Sequence, residues 1–338
     1  MALNDTQQIK ACPPFLNLGE NLKGIAIKMA EWIFPRCNLC GELEGEDILL
    51  LRHPDAPGGI ASIRRCRRCG LRRLWPRPGD QVLQRSYSSD YGAYIGRRRS
   101  PAKQAVWDLL RDGASGAPGR GRALAPLRPL LRILAHWAFD TNVPLDRDPL
   151  PRILDVGCGF GDLLLYWQSR GADALGVDFE QRAVDAANKL GLQVLKGALE
   201  EQDLPPESFD VLVFSHSLEH LPHPRETLKL AARLLRGGGT IHITVPNGAS
   251  AGLVLEKDAW EALRFPVHFW FFDVETLSES LKLAGFTQFK FHTQNIWRDR
   301  LASLHPNLHQ IRACWEIVKM SWTKNYTGDL ISVTARRA

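Results

Sequence analysis

The sequence lacks any apolar run of the ~18–20 residues that a membrane-spanning helix requires. Its first ten residues are polar, so a secretory signal is not expected either. The 338 residues, 44% of them hydrophobic and 24% charged, have the composition of a soluble globular protein with room for one large domain and a smaller appendage. We therefore predict a cytoplasmic protein without a transmembrane segment.

Disulfide pairing is not indicated, because four of the seven cysteines form two Cys-x-x-Cys pairs. Cys37 and Cys40 form the first pair, Cys66 and Cys69 form the second, and a glycine follows each pair. Four thiolates at this spacing match the tetrahedral site of a zinc ribbon in a reducing compartment. Because cysteine supplies all four ligands, the zinc ion is expected to be structural.

The sequence has no excess of negative charge, and its net charge of +6 is unevenly distributed. Residues 1–150 contain 23 Lys and Arg against 15 Asp and Glu, whereas the remainder contains 20 against 22. Seven arginines surround the second cysteine pair: Arg64, Arg65, Arg67, Arg68, Arg72, Arg73 and Arg77. Two interpretations stay open. The cluster binds the phosphates of RNA, an anionic lipid or a nucleotide sugar, or its arginines pair with acidic residues at 42–47 on a solvated surface.

A nicotinamide-dinucleotide fingerprint is missing, because its third glycine would fall at the position of Asp162. Instead, a short apolar strand containing Asp155 is followed by Gly157, Gly159 and Gly161 and then by an apolar helix. A strand, a glycine turn and a helix form the nucleotide-binding turn of a doubly wound sheet. The glycines let the backbone approach a ligand without interfering Cβ atoms.

Polar residues also end later strands of this predicted sheet. Asp178 ends the second strand, where a carboxylate can accept hydrogen bonds from both hydroxyls of a ribose. Ser215 and His216 follow the fourth strand, and a Leu-Glu-His segment containing His220 comes next. Because the carboxyl ends of parallel strands face the ligand crevice, these side chains are expected to line one site.

The glycine turn, Asp178 and the Leu-Glu-His segment together resemble motifs of the class I S-adenosylmethionine-dependent methyltransferases. The cysteine pairs and the tyrosine-rich stretch behind them resemble bacterial members that carry an N-terminal zinc ribbon. The resemblance implies an α/β fold, a Rossmann-like doubly wound sheet of seven strands with an antiparallel last strand. It also implies that S-adenosyl-L-methionine is bound by Asp155, Gly157, Cys158, Gly159, Gly161, Asp178, Phe179, Ala198, Leu199, Ser215, His216, Tyr91 and Tyr94.

The adenine contact departs from the family pattern, which often has an acidic residue at the position of Ala198. Either the backbone of Ala198 and Leu199 or the side chain of Glu200 is expected to make this contact instead.

Four parts of the chain are predicted. They are an N-terminal extension at 1–35, the zinc ribbon at 36–80, a helical connector or lid at 81–150 and the methyltransferase domain at 151–338. The connector contains a basic amphipathic helix at 124–137, which either packs on the catalytic domain or makes a peripheral membrane contact. Further helices are predicted at 309–320 and at 225–236, the latter stopped by three glycines.

The favoured hypothesis is methyl transfer to a small molecule, to a hydroxyl of a sugar or of a sugar-linked metabolite. A hydroxyl acceptor needs a base that works near neutral pH, and His220, His268 and His216 are the candidate catalytic residues. His268 lies in an aromatic loop at 260–272 that resembles the substrate-side loop of the family. The alternatives are an RNA methyltransferase that docks through the arginine-rich ribbon, and a binding protein with a degenerate methyltransferase fold.

Overall fold

A computed structural model describes residues 31–86, 101–131, 143–294 and 327–338 of the chain. Two predicted helices are affected by these limits. The one at 309–320 lies outside the described residues, and so does the second half of the one at 124–137. In the first half of the latter, residues 125–127 form a 3₁₀ turn, and Leu127 and Leu130 are exposed. Among the described helices, none is both long and apolar enough to cross a membrane.

The N-terminal part is built from short antiparallel strands. They are β1 (Trp32–Ile33), β2 (Gly45–Arg52), β3 (Ile60–Cys66), β4 (Arg72–Trp75) and β5 (Arg77–Pro78). Strands β2, β3 and β4 form a meander, and β1 pairs separately with β5. The meander places the two cysteine pairs close together.

Residues 128–131 are helical, and three further helices with bounds inside the described residues connect this part to the rest of the chain. They are α1 (Asp80–Ser86), α2 (Pro101–Ser115) and α3 (Arg120–Ala123). Asp112 of α2 is buried and accepts hydrogen bonds from the Arg170 guanidinium at 2.8 and 3.1 Å. This ion pair holds α2 against the large domain.

The large domain contains a mixed sheet with helices on both faces. Its strands are β6 (Arg152–Val156), β7 (Asp173–Asp178), β8 (Gln193–Lys196), β9 (Phe209–Ser215), β10 (Leu235–Pro246), β12 (Phe286–Gln294) and β13 (Leu330–Arg337), and a short β11 (Trp270–Phe271) precedes β12. Its helices are α4 (Asp162–Gln168), α5 (Gln181–Lys189), α6 (Pro224–Leu234), α7 (Ala251–Glu256) and α8 (Val274–Leu283).

The seven strands lie in the order β12-β13-β10-β9-β6-β7-β8. Strands β6 to β10 are mutually parallel, and β13 runs antiparallel to both of its neighbours. The predicted α/β class, with a seven-stranded sheet and an antiparallel last strand, is therefore confirmed.

Alternating residues of the central strands explain why helices cover both faces. Ile153 and Val211 pack with the apolar residues of α4 and α5, whereas Leu154 and Leu212 pack with those of α6 and α8. Successive side chains of a strand point to opposite faces, so an almost continuous apolar strand needs cover on both sides. The carboxyl ends of the strands stay uncovered, and the site described below lies there.

The triple glycine does not stop a helix, contrary to the prediction. Helix α6 ends at Leu234, and Gly237 lies inside β10. Leu235 already pairs with Phe209 of β9, and the register then shifts before Thr240. The parallel pairing therefore draws the chain into the sheet early, and the glycines occupy the irregular stretch.

The N-terminal sheet and the large domain share a strand. Strand β11 pairs with β4, which gives the smaller sheet the order β11-β4-β3-β2. The Leu74 amide also donates to the Phe269 carbonyl at 2.8 Å, and Arg72 contacts the Asp273 carboxylate at 2.7 Å. The aromatic loop at 260–272 is thus fixed from the N-terminal side.

We predict that D273N lowers the free energy of unfolding by about 2 kcal/mol, because Arg72 then keeps a largely buried charge without its partner. Asparagine still caps α8, so D273A should cost about 1 kcal/mol more through loss of the bond to the Thr276 amide. Denaturant unfolding measures both, with exposed Glu275→Gln on the same helix as the control. Equal stability of D273N and E275Q would contradict the assignment.

Candidate functional site

A cavity of about 1000 Å³ opens at the carboxyl ends of β6, β7, β8 and β9. The loops that follow these four strands line most of it, and Leu83 of α1 and Phe269 of the aromatic loop complete the wall. This is the edge at which a doubly wound sheet binds its ligands. The sequence-predicted residues that line it are Asp155, Gly157, Cys158, Gly159, Asp178, Phe179, Ala198, Leu199, Ser215, His216 and His220.

The glycine turn after β6 packs directly against the turn after β9. Gly157 has a φ of 77°, and a Cβ atom there would collide with the Cβ of Ser217. The Ser217 hydroxyl donates to the Val156 carbonyl at 2.5 Å, which holds the two turns together. Glycine is therefore required at position 157 both by the backbone angle and by the close approach.

Asp178 lies against this turn. Its two carboxylate oxygens accept hydrogen bonds from the Gly159 amide at 2.7 Å and from the Glu180 amide at 2.8 Å. Burial raises the pKa of Asp178, and these two amide bonds oppose the rise. Each oxygen retains a second lone pair, so the carboxylate can accept two further hydrogen bonds from a ligand in the cavity.

Asp155 supplies a second carboxylate at the floor of the cavity. It is buried, and its Oδ1 has no hydrogen-bond partner among the described residues. Burial, together with the charge of Asp178, raises the pKa of Asp155 to about 7. A buried carboxylate in a cavity wall favours a cationic ligand, because a positive charge offsets its desolvation.

The part of the cavity lined by Phe179, Ala198 and Leu199 is suited to a flat apolar group. Phe179 is 47% exposed there, and Ala198 and Leu199 face it from the loop after β8. Glu200 does not line the cavity, because its carboxylate accepts a hydrogen bond from the Thr227 hydroxyl of α6. Of the residues considered from the sequence for an adenine contact, Ala198 and Leu199 line the cavity and Glu200 does not.

Three histidines and one glutamate gather where β9 ends. His216 and His220 line the cavity, whereas His268 lies behind His220, with ring centroids 4.6 Å apart. Glu219 has no exposed surface, and its Oε1 lies 3.8 Å from both His268 Nε2 and His216 Nδ1. The three predicted catalytic histidines are therefore neighbours, although only two of them reach the cavity.

Backbone carbonyls orient two of these rings. His220 Nδ1 lies 2.9 Å from the Val267 carbonyl, and His268 Nδ1 lies 2.9 Å from the Ala262 carbonyl. A carbonyl only accepts, so each Nδ1 carries the hydrogen. Burial lowers the pKa of His220 to about 4 and that of His268 well below its usual value, and it raises the pKa of Glu219 to about 7.

Glu219 is the residue that the sequence analysis did not single out. It belongs to the Leu-Glu-His segment, so the motif itself contained the signal. Its contact with His268, 49 residues later, depends on the tertiary structure. Tyr91 and Tyr94, predicted to cover the ligand, lie outside the described residues.

The four cysteine thiols of the N-terminal part meet in one cluster. Their sulfur atoms all lie within 4.8 Å of one another, with Cys37 and Cys69 at 3.4 Å and Cys40 and Cys66 at 3.5 Å. These separations are too long for a disulfide bond. Gly41 and Gly70 have φ of 77° and 81° and close two similar turns, in which their amides donate to the Cys37 and Cys66 carbonyls.

The arginines around this cluster do not form one open face. Arg64 contacts both oxygens of Asp47, Arg72 contacts Asp273, and Arg73 and Arg77 are buried. The other three arginines of the cluster, Arg65, Arg67 and Arg68, are exposed. The fold therefore uses four of the seven arginines internally. Of these four, only Arg64 makes the predicted pair with an acidic residue at 42–47, and the burial of Arg73 and Arg77 differs from the predicted solvated surface.

Comparison with known proteins supports the interpretation of the cavity. A family model described as a methyltransferase domain matches residues 120–289, half of the chain. Ubiquinone biosynthesis O-methyltransferases are similar: that of Azoarcus sp. is 34% identical over 103 residues, covering 28% of this chain and 44% of that protein. That of Aeromonas salmonicida is 34% identical over 129 residues, covering 36% and 53%. The chain thus spans about half the length of these relatives.

A solved structure is also similar. It is a SAM-dependent methyltransferase from Archaeoglobus fulgidus, with a TM-score of 0.44 and 22% sequence identity. The match covers 65% of this chain and 95% of that one.

Two glycine substitutions test the packing of the glycine turn. Gly191 has a φ of 78° in open space, so G191A should cost about 1–2 kcal/mol for the backbone angle alone. G157A has almost the same φ but must also displace Ser217, and it should cost about 1–3 kcal/mol more. Denaturant unfolding of both variants measures the difference. Equal costs would show that the two turns are not in contact.

Proposed function

The chain belongs to the family of methyltransferase domains, and we propose that it uses S-adenosylmethionine to methylate a hydroxyl of a small molecule. The observation that carries the proposal is the pairing of Asp178 with the glycine turn, at the edge of a cavity that also holds two histidines. The relatives described above are named O-methyltransferases, which supports oxygen as the acceptor atom. A sugar or sugar-linked hydroxyl is the acceptor class proposed from the sequence.

The cavity residues suit this cofactor. Asp178 would accept hydrogen bonds from both ribose hydroxyls. Asp155 and the glycine turn would bind the cationic methionine end. Phe179, Ala198 and Leu199 would contact the adenine, and Ser215 would lie toward the transferable group. When bound, S-adenosylmethionine supplies a methyl group made electrophilic by its sulfonium.

The remaining chemistry is positioning and proton removal. Walls that align the acceptor and exclude water can supply about 7–11 kcal/mol of the barrier reduction. We assign proton removal to His216, whose side chain is 37% exposed in the cavity, because His268 does not reach the cavity and the ring of His220 is held by Val267. His220 and His268 then shape the wall behind it.

The direct test is transfer of labelled methyl groups to cell extract separated into RNA, protein and small-molecule fractions. Label is expected in the small-molecule fraction, and D178A should reduce it by about 100-fold, since the ribose loses charge-assisted hydrogen bonds. Label found only in RNA would overturn the proposal and would support the RNA alternative.

The affinity for S-adenosylmethionine should depend on pH through Asp155. Its pKa of about 7 in the free protein means that it is protonated at lower pH, and a cationic ligand favours the ionised form. Binding therefore releases a proton below pH 7, and the affinity should fall toward tenfold per pH unit there while staying constant above it. Calorimetry from pH 5.5 to 8.5 measures this. D155N should bind weakly with no such slope, and a wild-type affinity that is independent of pH would contradict the role.

We also propose that residues 36–80 form a zinc ribbon in which Cys37, Cys40, Cys66 and Cys69 bind one structural Zn²⁺. The sulfur cluster and its two similar turns support this proposal. The remaining division is proposed as an extension at 1–35, a connector at 81–150 and the catalytic domain at 151–338. Reduced thiolates of this kind suit a cytoplasmic location.

Elemental analysis should find at least one zinc ion per chain, the one in the cysteine cluster. C66S should lose it and should be less stable by at least about 3 kcal/mol, because metal binding in such modules is coupled to folding. C158S is the matched control, since that thiol lies outside the cluster, and it should retain the zinc ion. Equal zinc content in C66S and C158S would rule out the site.

A further inference from the structure

Glu219 carries a carboxylate that is completely buried behind the cavity lining, next to His220. Neither of its oxygens has a hydrogen-bond partner among the described residues. A buried charge without a compensating partner costs free energy, so such a group usually indicates an ion or a proton that completes the site. The exposed guanidinium of Arg264 contributes a favourable field but forms no ion pair within 4 Å among the contacts described for Glu219.

Two of the histidines near Glu219 offer it acceptor nitrogens, whereas His216 Nδ1, 3.8 Å from Oε1, can donate when it carries a proton. The Ala262 carbonyl takes the hydrogen of His268 Nδ1, so His268 directs the lone pair of Nε2 toward Glu219 Oε1, 3.8 Å away. His220 is oriented in the same way by the Val267 carbonyl. One ligand atom from each of the three residues lies within 4.8 Å of the others. Electron pairs that face one another repel, and a cation between the carboxylate and the two imidazoles removes this repulsion.

We propose that Glu219, His220 and His268 bind a divalent transition-metal ion. Two imidazoles and one carboxylate suit Zn²⁺, Mn²⁺ or Fe²⁺ better than Mg²⁺ or Ca²⁺, which prefer oxygen ligands. Bonds of about 2.1 Å in a tetrahedron separate the ligand atoms by roughly 3.4 Å, close to the 3.8 Å observed here. The two carbonyls bonded to the Nδ1 atoms provide the outer contacts that orient metal-binding histidines.

The location gives this ion a role. His220 lines the cavity, and the Phe269 amide donates to the Glu219 carbonyl, so the site adjoins the cavity wall formed by the turn after β9 and by Phe269. A metal ion there would bind the acceptor hydroxyl and make its proton easier to remove, beside His216. This role rests on the proposed methyl transfer, whereas the existence of the metal site does not.

The test uses full-length protein whose cysteine cluster is loaded with zinc, without S-adenosylmethionine or acceptor. Mn²⁺ is added, and electron paramagnetic resonance of the free ion gives the number of sites. We expect one Mn²⁺ per chain in the wild type and an affinity at least about 100-fold weaker in E219Q and in H268Q, because each removes a direct ligand. E279Q, an exposed carboxylate on α8, is the matched control and should bind as the wild type does.

Several results would overturn the proposal. One is a wild type that binds neither Mn²⁺ nor Zn²⁺ beyond the ion in the cysteine cluster. Another is an E219Q variant that has the melting temperature of the wild type and binds the metal ion with the same affinity. A third is an infrared band of a protonated carboxyl, removed by E219Q, that persists at neutral pH in the presence of saturating Mn²⁺, since a proton would then occupy the place of the cation. Binding of S-adenosylmethionine is measured separately, so a failure of the proposed function can be distinguished from a failure of the metal site.

Discussion

The contact between the turns after β6 and β9 determines the shape of the site. Gly157 must lack a side chain because Ser217 occupies the adjacent space, and the Ser217 hydroxyl bonds to the strand that leads into the glycine turn. Asp178 is then fixed on the other side by the Gly159 amide. Three parallel strands thus present a glycine turn, a carboxylate and two histidines to one cavity, and the proposed cofactor contacts all depend on this arrangement.

The second organising feature is strand β11, which comes from the large domain but pairs with β4 of the N-terminal sheet. The aromatic loop contributes β11 to the N-terminal sheet, so the cysteine cluster and the cavity wall belong to one continuous structure. Phe269 is bonded on one side to Leu74 and on the other to Glu219. A metal-stabilised ribbon would therefore support the acceptor side of the cavity. This structural role does not require that the small domain bind RNA.

Local patterns in the sequence predicted the elements whose determinants are local. Each of these features is formed by residues that are close together in the sequence, so their spacing alone identified them. They are the apolar strand with its glycine turn, the aspartate that ends β7 and the two cysteine pairs. Pairing over long distances could not be found this way. Strand β11 has only two residues, the glycines of β10 follow the pairing with β9, and His268 meets Glu219 only after the aromatic loop has docked on β4.

The most direct measurement of the central claim is a crystal structure of the protein with S-adenosylhomocysteine. The account predicts that both ribose hydroxyls bond to Asp178, that the amino acid end lies on the glycine turn near Asp155, and that the sulfur faces His216. A nucleoside bound elsewhere, or a ribose that makes no contact with Asp178, would contradict it.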